Sequence, residues 1–298
     1  MEIGFGAPVS GAWATPANLA AFATSAESLG YSSLWTFHRL LTPEAPLMDP
    51  VYRSVLDPLM ALSYMAARTE RIRLGVALVN LPFVSPTYLA KQAASLDVLS
   101  AGRLDLGLGA GWQQEEFAAT GATMARRGAR TTEYVSVLRT LWADDVSSFD
   151  GEFYTVPRSR MNPKPVQRPG PPVLLGGVVP AALARAGRIA DGWMSRSATN
   201  LDAIADQIAV VRAAATAAGK DPARVRIVCR GVVRPGERGP RLSGSIAQIK
   251  ADAEWLASQG VTELFYDLNW DPRIGDPDVS PKAATERAQE LLEALKPS

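Results

Sequence analysis

Apolar positions recur along this chain in two alternating rhythms. One is helical: after Thr15-Pro16, the residues Leu19, Phe22, Ala23, Ala26 and Leu29 fall on one face of a helix, and Gly30 stands where a left-handed cap would end it. Similar stripes run through Leu89, Ala93, Leu96 and Leu99, through Tyr134, Val137, Leu138 and Leu141, and through Leu201, Ile204, Ile208 and Val211. Two more pass through Ile246, Ile249, Ala253 and Leu256, and through Ala284, Ala288, Leu291 and Leu295. Thr15-Pro16, Asp57-Pro58, Ser85-Pro86 and Ser280-Pro281 each place a capping residue before a proline, whose fixed φ and missing N–H suit the first helical position. The other rhythm is a set of short apolar runs that suit strands buried on both faces. They fall near Ile3 to Ala7, Ser33 to Phe37, Ile72 to Val79, Leu104 to Gly109, Val173 to Gly176, Gly192 to Ser195, Val225 to Val233 and Glu263 to Leu268.

Strand followed by helix about eight times predicts an α/β fold, a single (β/α)8 TIM barrel domain over residues 1–298, with an open doubly wound sheet as the structural rival. Long segments follow the second strand (His38 to Leu56), the fourth (Ala110 to Arg130) and the seventh (Arg234 to Ser243). They are loop insertions at the C-terminal face, where barrel enzymes build their sites. Phe149 to Tyr154 reads as a small hairpin with an Asp-Gly turn, and proline-rich Pro163 to Pro172 leads into the fifth strand. Both are expected outside the barrel wall.

Charge narrows the function. With 31 Lys+Arg against 30 Asp+Glu, the formal net charge is +1, which argues against nucleic acid or an acidic membrane surface as partner. Met1-Glu2-Ile3-Gly4-Phe5 has no secretory pattern, and no apolar run is long enough to span a bilayer. Cys229 is the only cysteine and His38 the only histidine, so there is no intramolecular disulfide and no ligand set for structural zinc. The expectation is a soluble, cytoplasmic protein without metal, acting on a small molecule, and paired as a homodimer through its wide helical faces.

Several residues could carry chemistry. Gly107 to Trp112 ends the fourth strand with G-x-G-x-G spacing, which either lets backbone approach a ligand, at Gly111 and Trp112 in particular, or fills a narrow barrel end. Gly176-Gly177 closes the fifth strand just before a helix led by Pro180; this is an anion site of bare amides or a tight turn without ligand. Asn80, after the apolar strand, is a side chain at the barrel mouth or a turn former. His38 ends the second strand and offers the sole imidazole for proton transfer, with Arg39 beside it suited to carboxylates or phosphates. Glu115 and Glu116 are adjacent and face different directions on a helix, which favours a solvated acidic turn over a glycosidase pair. Asp49 and Asp57 suit turn and cap roles, and no G-x-S-x-G elbow is present. Cys229 reads as core filling.

Taken together, the segments resemble the luciferase-like monooxygenase family, in particular its branch that uses coenzyme F420, a 5-deazaflavin. The resemblance runs from Ile3 to about Leu268 and rests on Leu29 to Trp35, Ala90 to Asp97, Ser100 to Leu104 and Gly107 to Trp112 with Glu115-Glu116-Phe117. Arg127 to Arg130, Pro163 to Gln167, Gly176-Gly177 and Ala190 to Trp193 complete it. It implies an eight-stranded barrel whose third strand carries a bulge with a non-proline cis peptide, here Ala77-Leu78, behind the cofactor's ring system. It also implies a cofactor phosphate near Gly176-Gly177. The chain departs from the family at strand two, where His38-Arg39 replaces the usual Asp-His and Arg39 stands at the common histidine's place. His38 then acts as proton donor, or Arg39 binds substrate or developing charge while water supplies the proton. Trp112 occupies a place often acidic in the family, which suggests that a substrate stacks there. The resemblance implies hydride transfer between F420 and a small organic substrate. Alternatives are an FMN-dependent monooxygenase, a non-catalytic cofactor-binding barrel, and a barrel hydrolase or isomerase without redox cofactor.

Overall fold

Eight parallel strands close into a barrel in the computed structural model, which describes residues 1–297. They are β1 (Glu2–Gly6), β2 (Ser33–Thr36), β3 (Arg73–Asn80), β4 (Leu104–Gly109), β5 (Val173–Gly176), β6 (Gly192–Met194), β7 (Arg226–Val232) and β8 (Glu263–Asp267). Each strand pairs with its neighbours in sequence, and β8 closes on β1 through Glu263↔Glu2 to Tyr266↔Phe5. The helices are α1 (Pro16–Ser28), α2 (Pro58–Ala66), α3 (Pro86–Leu99), α4 (Gln114–Thr120), α5 (Arg127–Ala143), α6 (Pro180–Ile189), α7 (Ile204–Ala217), α8 (Ile246–Ser258) and α9 (Pro281–Ala294). All but the short α4 follow the strands as an outer ring, so the closed barrel excludes the open sheet.

The four proline-led starts form as the chemistry dictates. Side chains of Thr15, Asp57, Ser85 and Ser280 accept from the backbone N–H of Asn18, of Leu59 and Met60, of Tyr88, and of Ala283 respectively. The Phe149 to Tyr154 hairpin forms too, with Ser147–Asp150 antiparallel to Thr155–Ser159. Its turn differs from the expectation, because Gly151 is not left-handed. Instead the Glu133 carboxylate on α5 accepts the N–H groups of Glu152, Phe153 and Tyr154 at 3.1, 2.8 and 2.7 Å, which orders a longer loop. Among the described residues no helix is long and apolar enough to cross a membrane.

Side chains alternate across each strand with a period of two, so the inward residues stack in layers inside the barrel. The lowest layer is ionic. Asp105, fully buried, accepts from Arg73 and Arg226 at 2.6 Å each, and Arg226 also reaches Glu263 at 2.7 Å. Glu263 in turn accepts from Ser33 Oγ and Trp35 Nε1 at 2.5 and 2.8 Å. Above lies an apolar layer of Trp35, Leu174, Met194, Val228 and Phe265, in which Trp35 and Phe265 stack at 5.3 Å. Gly75 makes room there, since a Cβ would collide with the Trp35 indole.

The ionic layer predicts a stability effect with a pH signature. Although burial alone would raise the Asp105 pKa, hydrogen bonds and charges from Arg73 and Arg226 hold it below the ordinary 3.8. Asp105→Asn leaves both cations without their carboxylate and is expected to cost about 3 kcal/mol at neutral pH, the lower end for buried pairs because both arginines are partly exposed. Since the folded-state pKa is depressed, this stabilisation is present above pH 3.8 and is lost as pH falls through the folded value. Urea unfolding at pH 7 and pH 3 should show the gap between parent and variant narrowing in acid. A gap that stays constant would contradict the ion-pair origin.

Candidate functional site

The mouth layer of the barrel opens into a cavity of about 430 Å³ at the carboxyl ends of the strands. Its back wall is Ala77 and Leu78, where the β3 to β4 register shifts between Val76 and Val79 and the Ala77-Leu78 peptide is cis. The bulge falls where the resemblance places it. Leu78 packs over strand-end glycines: a Cβ at Gly176 would collide with Leu78 Cδ1, and one at Gly107 would stand 2.8 Å from Leu78 Cδ2. The glycines of β4 and β5 thus make room for the β3 bulge, which is a packing reason for their presence at the narrow barrel end.

Phe37, His38 and Arg39 continue from β2, the neighbour of β3, and also line the cavity. His38 Nδ1 accepts the Asn80 backbone N–H at 3.1 Å. A nitrogen that accepts from an N–H is unprotonated, so the neutral ring carries its proton on Nε2. Burial pushes the His38 pKa below the ordinary 6.5, against the smaller opposing pull of Asp57 and Glu116. Asn80 therefore acts through its backbone and also lines the cavity.

Arg39 is buried at 7% exposure, with Nη1 2.9 Å from Glu116 Oε2, and Glu116 is fully buried. The other carboxylate oxygen accepts from Leu40 N–H at 2.8 Å and Leu41 N–H at 3.4 Å. Above the pair, the guanidinium lies 4.5 Å from the Tyr52 ring centre and 4.8 Å from that of Trp112. This clasp joins the segment after β2 to α4. Trp112 keeps 54% exposure and stacks on Arg39 at the cavity rim. Glu116 is thus not the solvated acidic turn its adjacency to Glu115 suggested. Gln113, Glu116 and Phe117 share the buried face of the α4 turn, and their i, i+3, i+4 spacing was the available signal.

Arg230 was also missed. It projects inward from β7, pairs with Asp267 at 2.7 Å, donates to the Ala77 carbonyl at 3.2 Å and lies 4.7 Å over Phe37. The same β7 face carries Arg226 and Val228, so strand parity alone sends Arg230 into the barrel. Ser195, Arg196, Ser197, Ala198 and Trp270 complete the lining, all from segments after β6 and β8 whose composition carried no chemical signal.

Gly111, Gly176 and Gly177 stand outside the cavity lining. Gly111 is left-handed at φ 71° beside the Phe117 ring, and its carbonyl accepts from Arg127 at 2.7 Å. Gly177, at φ 146°, leads to α6, whose start has no side-chain cap, unlike the four proline-led starts with Ser, Thr or Asp before them. Pro180 has no N–H and the Ala182 N–H donates to the Val179 carbonyl at 2.8 Å, so in the first turn of α6 the Ala181 N–H is left for an external acceptor. Cys229 faces away from the cavity into the core, where burial pushes its thiol up to about 12.

The family model for luciferase-like monooxygenases matches residues 3–242, and the chain belongs to that family. Among solved structures, monooxygenase RslO1 from Streptomyces bottropensis superposes with a TM-score of 0.81 at 23% identity, covering 99% of this chain and 98% of that one. An F420-dependent secondary alcohol dehydrogenase in complex with an F420-acetone adduct superposes at 0.79 with 17% identity, covering 99% of both chains. In sequence, the FMNH(2)-dependent dimethylsulfone monooxygenase of Pseudomonas putida is 34% identical over 158 residues, which is 52% of this chain and 43% of that protein. The chain spans 62% of the length of the first curated relatives it matches.

Proposed function

We propose that this chain is an oxidoreductase that holds a deazaflavin of the F420 type over Ala77-Leu78 and passes a hydride between it and a small organic substrate. The observation that carries this reading is the mouth cavity backed by the bulged β3. Its residues fit such a group. A volume of about 430 Å³ lies within the roughly 300–1,000 Å³ of small-ligand sites, with an apolar wall at Ala77 and Leu78 and polar groups that include His38, Arg39 and Arg230. Two buried donors on its lining, Arg39 Nε and Trp270 Nε1, have no partner within the protein. Ala77 and Leu78 would support the ring, and the uncapped start of α6 beyond Gly176-Gly177 would hold the phosphate. A bound deazaflavin supplies a ring carbon that exchanges hydride.

The chain's own groups do the rest. His38, kept neutral by burial and by the Asn80 N–H, offers Nε2–H to a substrate oxygen that gains negative charge. In this reading His38 serves as a hydrogen-bond donor, where the sequence suggested a proton donor. Arg39 and Arg230, each neutralised by its carboxylate, hold the two sides of the cavity in place. A substrate ring can stack on Trp112 at the rim. A reducing cytoplasm is the compartment that suits this reading.

Reduced FMN is the second reading, supported by the P. putida relative. Titration of the pure protein with F420 and FMN in both redox states separates the two. The account expects tighter binding of F420 and no rapid oxygen consumption by the reduced complex; tight FMN binding with rapid consumption would favour the monooxygenase. Gly176→Val would drive Leu78 toward the cavity and is expected to weaken cofactor binding about tenfold. Unaltered affinity would count against the proposed seat.

A further inference from the structure

A second chamber of about 370 Å³ adjoins the first and shares Ser197, Ala198, Arg230 and Trp270 with it. It is also lined by Arg234, Pro240 and Arg241 from the segment after β7, with Asp202 against Arg241. The charges on the two linings are strongly one-sided. The first chamber has Arg39, Arg196 and Arg230 and no carboxylate; the second has Arg230, Arg234 and Arg241 against Asp202 alone.

Three of these five arginines are already committed. Arg39 is held by Glu116, Arg230 by Asp267, and Arg241 by Asp202 and Asp252 while it stacks on Trp255. Asp202, the one acid on the lining, is thereby neutralised. Among the described residues, the side chains of Arg196 and Arg234 have no hydrogen bond or ion pair. Both are exposed, and unpaired cations on the lining of a concavity concentrate positive potential there. The Trp270 Nε1–H, buried and without an acceptor on the wall common to both chambers, is a further unmet donor.

We propose that the substrate of the first chamber carries an anionic group, a carboxylate or a phosphate, which seats in the second chamber against Arg234 with Arg196 at the rim. This rests on the reading of the first chamber as the redox site. The cofactor's own phosphate is assigned elsewhere, to the start of α6, so the second chamber belongs to the other reactant. An elongated molecule then spans the shared wall, with its reacting end beside His38 in the first chamber and its charge about one chamber away. Arginine's planar fork suits either oxyanion.

Calorimetric titration at low salt with phenyl phosphate, benzoate and neutral benzamide tests this, on the protein with and without oxidised F420. At least one anion is expected to bind about tenfold tighter than benzamide. Arg234→Gln, outside the first chamber, should remove about tenfold of that anion's affinity with F420 affinity close to the parent's, and Arg196→Gln should remove less of the anion's affinity. The anion that suffers more identifies carboxylate or phosphate as the natural group. Equal affinity for benzamide and both anions, or an Arg234→Gln variant that binds the anions like the parent, would overturn the proposal. So would a variant that loses F420 instead, because Arg234 would then belong to the cofactor's tail. Failure of the parent to bind F420 or FMN would overturn the redox reading, while the anion preference and its loss in Arg234→Gln would remain readable.

Discussion

His38→Ala is expected to lower turnover about a hundredfold while changing cofactor affinity far less, as removal of a single donor to developing charge does elsewhere. The ring lines the cavity, its Nδ1 is occupied by the Asn80 N–H, and Nε2–H has no partner among the described residues. In the proposed reaction the working form is the neutral imidazole. Its pKa lies below 6.5 through burial, so the neutral form persists to a lower pH than in an exposed histidine. Protonation would set an Nδ1–H against the Asn80 N–H, and turnover should therefore fall on an acid limb beneath 6.5. The stability linkage has the same sign: the folded state loses stability as pH drops below 6.5, where the unfolded chain takes up the proton more readily. A pH–rate profile of parent and variant checks this. Unchanged turnover in His38→Ala, or a rate that rises on protonation, would remove His38 from the reaction.

Glu116→Leu is expected to destabilise the fold by about 3–5 kcal/mol, because it strands the buried Arg39 guanidinium without its carboxylate and frees the Leu40 N–H. The pair is almost wholly out of solvent, and breaking one side of such a pair costs more than replacing both. Arg39→Met combined with Glu116→Leu should recover most of the loss. Chemical denaturation of the three variants forms a double-mutant cycle. If Glu116→Leu stays within about 0.5 kcal/mol of the parent, the behaviour of an ordinary surface change, the clasp carries no weight.

Both predictions rest on residues that differ in how far the sequence reveals them. The eight strands were legible because each is a short apolar run between marked helix starts; β4 and β5 have the expected bounds, and the others differ by one residue at one or both ends. Thr15, Asp57, Ser85 and Ser280 were legible because capping is local chemistry between a side chain and N–H groups two or three residues on. His38, Arg39, Ala77, Leu78, Asn80 and Trp112 do meet around one cavity. What brings them together is barrel closure, which no local pattern contains.

Glu116 and Arg230 were hidden for different reasons. Glu116 has an exposed acidic neighbour, and only the partner 77 positions away at Arg39 makes its burial tolerable. Arg230 sits in an apolar strand directly after Cys229. Yet the spacing from Arg226 to Arg230 places both on the inward face, one in the ionic layer and one at the mouth. Strand parity combined with charge would have found it. The segments carrying Ser195 to Ala198 and Trp270 join the site only through the positions of β6 and β8, and composition gave no sign of them.

Crystals of the protein grown with oxidised F420 test the central claim most directly. The account expects the deazaflavin ring against Ala77 and Leu78, with its phosphate at the first turn of α6. Ring density away from the β3 bulge, or a phosphate bound by Arg234 with the α6 amides left to solvent, would contradict it.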